Sequence, residues 1–155
     1  MYNHAPKDYQ CPICLGIQGV ESDLTLVKQS DFIHKGKNIS AFINSFYIKN
    51  NKGHVIVVPN THFEHIFDIP NETLNEIMEM VKKVSIALKK IYKCTGITLL
   101  QNNEPDGGQH AFHFHLHIFP RYKDDILFAN MSDKKLLDPK ERQIFAEKLK
   151  EFNLV

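Results

Sequence analysis

The sequence predicts an α+β domain, an antiparallel sheet with helices packed on one side, and three stretches carry that prediction. The run "GHVIVVP" is a compact apolar strand closed by Pro59. Beyond Pro70 and Asn71, apolar residues recur at helical spacing at Leu74, Ile77, Met78, Val81, Val84, Leu88 and Ile91. The run "AFHFHLHIF" alternates histidine with apolar residues at the period of a strand.

Taken in order, "DLTLVKQSDFIHKGKNISAFINSFYI" holds short β-favouring stretches broken by polar residues and glycine. With "GHVIVVP" it reads as antiparallel strands. The long central helix follows, with acidic residues early and Lys89, Lys90 and Lys93 late, as the helix dipole prefers. "GITLLQ" reads as a strand, "NNEPDGGQ" as a loop and "AFHFHLHIF" as the next strand. Asp138 as N-cap and Pro139 in the first helical position open a C-terminal helix through about Leu149. There is no internal repeat, low-complexity tract or linker, and 155 residues is the usual size of one domain, so residues 1–155 are expected to form a single one.

Composition excludes several partners. Hydrophobic residues make up 43% of the chain, charged residues 24%, and the net charge is +1, so no global field attracts nucleic acid or an anionic membrane. No apolar run is long enough to span a bilayer, and the first residues have no signal-peptide core; a cytoplasmic protein is expected. Two of three cysteines lie in Cys11-Pro12-Ile13-Cys14, which in a reducing compartment suggests metal binding or redox chemistry. Cys94 reads as a buried bystander.

On a strand His113, His115 and His117 project to one side, while Phe112, Phe114, Leu116 and Ile118 face the core. Solvent-facing positions are ordinarily filled by Lys, Thr or Glu, so three imidazoles in a row point to chemistry. Imidazole is a nucleophile when neutral and an acid when protonated, with a pKa near neutrality. A phosphate ester or anhydride lying along the row could be attacked by one ring and held by another. The preceding Gly107-Gly108-Gln109 suits such a substrate, because glycines let backbone N–H groups approach an anion.

The stretch "QNNEPDGGQHAFHFHLHIFPR" resembles the signature of the histidine triad (HIT) superfamily of nucleotide hydrolases and transferases. "GHVIVVPNTH" is similar to the family's strand bearing a further active-site histidine, and "CPIC" to the Cys-x-x-Cys of its zinc-containing bacterial members. The resemblance implies a HIT-like fold and places the nucleophile at His115, which would form a covalent nucleotidyl-histidine. It implies that His117 contacts the phosphate or scissile oxygen, that His54 completes the catalytic cluster, and that Asn102, Gly108 and Gln109 bind phosphate or leaving group. A backbone carbonyl near His113 is expected to hold the second nitrogen of His115.

The zinc ligands implied are Cys11, Cys14, His62 and His113, a closed structural set, with His65 the alternative to His62. The chain departs from many relatives in carrying His110 where they have Ser or Thr. Asn44 best matches the ribose-binding position and Phe42 the base pocket, although the link to His54 is about two residues longer than usual. The resemblance further implies a purine nucleotide substrate and a homodimer, and the tail "EFNLV" could reach a neighbouring active site. Hydrolysis of a phosphoramidate, adenylate or dinucleoside polyphosphate leads the functional readings. The others are a nucleotidyltransferase or phosphorylase with the same intermediate, a nucleotide-binding interaction protein, and a catalytic three-histidine zinc site. For the last, three ligands from one straight strand would strain to converge on one ion.

Overall fold

The computed structural model describes residues 3–152 and residue 154. Strands β1 (Phe32–Lys35), β2 (Ile39–Ile43), β4 (Val55–Pro59), β5 (Gly96–Gln101) and β6 (Leu116–Arg121) form an antiparallel sheet in the order β1-β2-β4-β6-β5. A second, two-stranded sheet pairs β3 (Phe46–Ile48) with β7 (Lys134–Leu136). The helices are α1 (Pro12–Ile17), the long α2 (Asn71–Ile91) and α3 (Pro139–Lys150). This is the α+β architecture expected, with its long central and C-terminal helices.

Register decides which face each side chain takes. Ile43 stands opposite Val55, and Val55 opposite Ile118. Ala41, Ile43, Val55, Val57, Leu116 and Ile118 therefore share one face, under Ile77, Val81, Val84 and Leu88 of α2 and Ala146 and Leu149 of α3. Burying each of the larger of these side chains contributes about 1.5–3 kcal/mol relative to exposure. Met78 departs from the expected stripe: it is exposed while Met80 is buried, because a step of one residue from Ile77 turns the side chain about 100° around the helix. Cys94 is buried in the same core.

The helices do not all share one side. Short α1 lies over the opposite face, where Ile13 and Ile17 pack on Val27, Phe32, Phe42, Ile56 and Val58. Farther along that face Ile48, Phe119 and Leu127 form a separate apolar cluster. The space between the two clusters becomes the pocket. A buried ion pair locks α3 to the start of β1: Arg142 Nε donates to Asp31 at 3.0 and 3.1 Å, and Nη2 donates to the Leu26 carbonyl at 2.9 Å.

The strand expected over "AFHFHLHIF" begins only at Leu116. Residues 111–115 bend toward the segment after β4, where the Phe114 N–H donates to the Phe63 carbonyl at 2.6 Å. Phe112 consequently leaves the core and packs edge-on against Tyr9, whose hydroxyl accepts its N–H at 3.2 Å. The described part of the C-terminal tail packs on its own chain, with Leu154 buried and Phe152 against the core; Asn153 and Val155 lie outside the described residues. Among the described residues no helix is long and apolar enough to cross a membrane.

Candidate active site and metal cluster

A cavity of about 350 Å³ opens on the sheet face away from α2 and α3. Phe42 and Ile56 line one part of it, with Pro12, Ile13, Leu24 and Leu26 contributed by α1 and the connection after it; Leu100, Phe119, Met131 and Lys134 line another. Asn44, His54, Asn102, Gly108, His110, His115 and His117 supply polar groups to the walls. An apolar cavity with a few convergent polar groups is the usual form of a small-molecule site.

Three imidazoles meet there. The ring centroids of His115 and His117 are 5.0 Å apart, and those of His117 and His54 5.4 Å apart. His117 is stacked on Phe119, and β6 brings it opposite Ile56 of β4 and Leu100 of β5. The cluster is tighter than a row along one flat strand, because His54 arrives from just before β4 and the chain bends before Leu116.

The carbonyl of His113 lies 2.7 Å from Nδ1 of His115. A carbonyl can only accept, so Nδ1 carries the proton and the lone pair of a neutral ring sits on Nε2. Burial lowers the pKa of His115 below the ordinary histidine value and that of His117 well below it. Complete burial brings His54 down to about 3. All three rings are therefore neutral at pH 7, a state suited to nucleophilic attack and costly to charge.

Asn44 lines the cavity beside His54. Its backbone N–H donates to the His54 carbonyl at 3.0 Å, and its side-chain amide nitrogen stands 2.7 Å from His54 Nε2. The longer link between them is taken up by β3, which leaves the main sheet to pair with β7. Gly108 has φ +83, a left-handed conformation glycine adopts without strain, and its carbonyl accepts from the Asn102 amide at 3.2 Å.

Gln109 takes a different place from its expected one. It is buried outside the cavity lining, where Nε2 donates to the Glu64 carbonyl at 2.7 Å and Oε1 accepts the Glu104 N–H at 2.7 Å. Both ends of the amide brace the loop from within. His110 is exposed at the cavity rim. Arg121 turns to Asp125, donating through Nε at 2.7 Å and Nη2 at 2.6 Å, and holds that carboxyl well below the usual range.

The cysteines begin a separate cluster. Cys11 is the N-cap of α1 and Pro12 its first residue, so the first helical turn brings the Cys14 N–H to within 3.4 Å of Cys11 Sγ. His113 Nδ1 lies 3.4 Å from both sulfurs, and His62 Nδ1 lies 3.3 Å from Cys14 Sγ. A tetrahedral zinc with bonds of about 2.3 Å to sulfur and 2.0–2.1 Å to nitrogen has sulfur–nitrogen edges of about 3.5 Å. The four donors thus fit that ion. The Pro59 carbonyl sits 3.0 Å from His113 Nε2, which fixes the proton there and leaves Nδ1 as the ligand atom.

His62 is the histidine in this cluster, and His65 is not. Among the described residues, the groups of three or more donor atoms within 4.8 Å of one another are Cys11–Cys14–His62–His113 and His4–His65–Glu104. His113, His115 and His117 form no such group, so the reading of the run as one three-histidine metal site is set aside. Nothing in the sequence reading singled out His4, Glu64 or Glu104, since donors distant in the chain have no spacing to betray them.

Comparison with known proteins places this geometry. An uncharacterized HIT-like protein of Saccharolobus solfataricus is 37% identical over 93 residues, which span 60% of this chain and 66% of that one. The crystal structure of a hypothetical histidine triad nucleotide-binding protein from Sulfolobus tokodaii superposes with a TM-score of 0.74 at 26% identity, covering 92% of this chain and 91% of that one. A zinc-bound histidine triad family protein from Mycobacterium smegmatis superposes with a TM-score of 0.72 at 22% identity, covering 92% of each chain. Residues 25–124, which hold β1 to β6 and all four histidines that line the cavity, match the HIT domain, and the chain belongs to that family.

Proposed function

We propose that the protein is a nucleotide hydrolase that cleaves at the α-phosphorus of a purine nucleoside phosphoramidate, adenylate or dinucleoside polyphosphate. The bond between His115 Nδ1 and the His113 carbonyl carries this reading, since it turns the reactive nitrogen of a neutral imidazole away from the backbone. Nε2 of His115 attacks phosphorus, a nitrogen–phosphorus bond forms, and the bond to the leaving group breaks. Water then attacks phosphorus and the nitrogen–phosphorus bond breaks, releasing a nucleoside monophosphate and restoring His115. His117 and His54 line the phosphate position, with Asn102 and Gly108 across from them. Asn44 orients His54. The apolar end, with Phe42 and Ile56, takes the base.

Zinc held by Cys11, Cys14, His62 and His113 would cross-link α1, the segment after β4 and the start of the histidine run. Its role is structural: all four donors come from the protein, with no open position for substrate. Support for a homodimer comes from β5, an edge strand that exposes Leu99; light scattering after gel filtration measures it.

Release of adenosine monophosphate from an adenosine phosphoramidate and from a diadenosine polyphosphate, in wild type and a folded His115→Ala variant, tests the mechanism. Loss of release in the variant is the expected result. No release by wild type, despite nucleotide binding, would overturn the hydrolase reading in favour of a transferase or a binding protein.

A further inference from the structure

His65 follows Glu64, whose carbonyl accepts from the Gln109 side chain. It is fully buried, and neither ring nitrogen makes a hydrogen bond, although the Asp68 carboxylate stands 3.9 Å from Nδ1. Leaving a buried polar group without a partner costs about 1–3 kcal/mol, so a native protein rarely keeps one without a reason. The surrounding groups are ligands in kind. Glu64, also buried, brings Oε1 to 3.1 Å from His65 Nε2 without hydrogen-bond alignment, while its oxygens accept the His4 and Ala5 N–H groups at 2.5 and 3.3 Å. One donor atom each from His4, His65 and Glu104 lies within 4.8 Å of the others.

We propose that His4, His65 and Glu104, with Glu64 beside them, bind a divalent transition-metal ion distinct from the one the Cys–His cluster suits. Two imidazoles and a carboxylate match borderline cations such as zinc, whereas calcium and magnesium call for oxygen ligands alone. The cation gives a nitrogen of His65 a directed bond, which the flanking Glu64 and Asp68 carboxylates do not supply, and neutralises carboxylate charge beside it. An ion pair alone does not do this, because the Glu64 oxygen nearest the ring is not aligned with an N–H.

The location gives the ion a task. The backbones of Glu104 and Glu64, with that of Ala111, grip the Gln109 side chain, and Gln109 N–H also donates to the Glu104 carbonyl at 3.1 Å. An ion joining Glu104 to His65 and to the N-terminal segment would stiffen the loop that carries Gly108 into the cavity. The Cys–His cluster holds the histidine run; this second site holds the opposite wall.

Metal analysis of protein loaded with Zn²⁺ and freed of loose ions gives the test. Wild type is expected to retain two equivalents, Cys11→Ser one, Glu104→Gln one, and the double variant none. Co²⁺ added to Cys11→Ser should then give d–d absorption without a thiolate charge-transfer band, and that absorption should vanish in Cys11→Ser/Glu104→Gln. His65→Ala repeats the loss, and the rim residue Glu104 settles the matter if His65→Ala does not fold. Retention of a single equivalent by wild type, or a second equivalent that survives Glu104→Gln, would overturn the proposal. Because the two clusters respond to different substitutions, failure of one leaves the other measurable.

Discussion

His113 and His115 are two residues apart and end in opposite electronic arrangements. In the metal cluster, the Pro59 carbonyl takes the Nε2 proton of His113 and leaves Nδ1 facing two sulfurs. In the pocket, the His113 carbonyl takes the Nδ1 proton of His115 and leaves Nε2 available. One residue type thus presents its Nδ1 or its Nε2 according to which nitrogen a backbone carbonyl claims. The difference also sets rigidity: His113 has contacts at both nitrogens, whereas the carbonyl contact of His115 engages Nδ1 alone.

The largest separation of the two roles should come from His115→Ala. Turnover is expected to fall by about a thousandfold or more, while zinc content, measured by atomic emission, stays at the wild-type value. A variant that lost both would show that the pocket and the metal cluster are one unit.

Arg142→Ala probes both regions through the fold. Breaking the buried pair with Asp31 should cost about 3–5 kcal/mol, read from denaturant unfolding. Metal content and kcat of the molecules that remain folded should not change. Cys11→Ser, or chelation of wild type, should lower the thermal midpoint by on the order of 10 °C, corresponding to about 3 kcal/mol. Activity should decline with it, because Pro12 and Ile13 of α1 line the cavity.

Acid should weaken the pocket through its buried rings. His54 has its folded pKa lowered to about 3, so between that value and the unfolded value of about 6.5 the unfolded chain binds more protons. Stability therefore falls as pH drops through this window, by up to about 1.4 kcal/mol per pH unit for this group. Unfolding free energies of wild type and His54→Gln between pH 7 and 5 measure it; the variant should show the shallower slope. Asn44→Ala should have the smallest effect, about fivefold in kcat/KM, since it removes one hydrogen bond worth about 1 kcal/mol from His54.

The chain order by itself determined a good deal. Hydrophobic period identified α2 and the core face of the sheet, Asp138 and Pro139 marked the start of α3, and the Cys-x-x-Cys spacing needed only one helical turn to bring its donors together. These are local consequences of backbone geometry, readable at short range. The histidine run was legible as a motif, but its first part is not the strand expected, because the bonds that bend residues 111–115 come from Phe63 and Pro59, about a third of the chain away.

What tertiary structure alone decided are matters of partner and direction. It selected His62 over His65 for the cysteine cluster, turned Gln109 inward to Glu64 and Glu104, and gathered His4, His65 and Glu104 from three distant segments. It also fixed which nitrogen of His113 and of His115 faces a backbone carbonyl and so carries the proton. None of this has a sequence period, since a hydrogen bond or ligand set depends on distances of about 3 Å between groups that the chain separates by tens of residues.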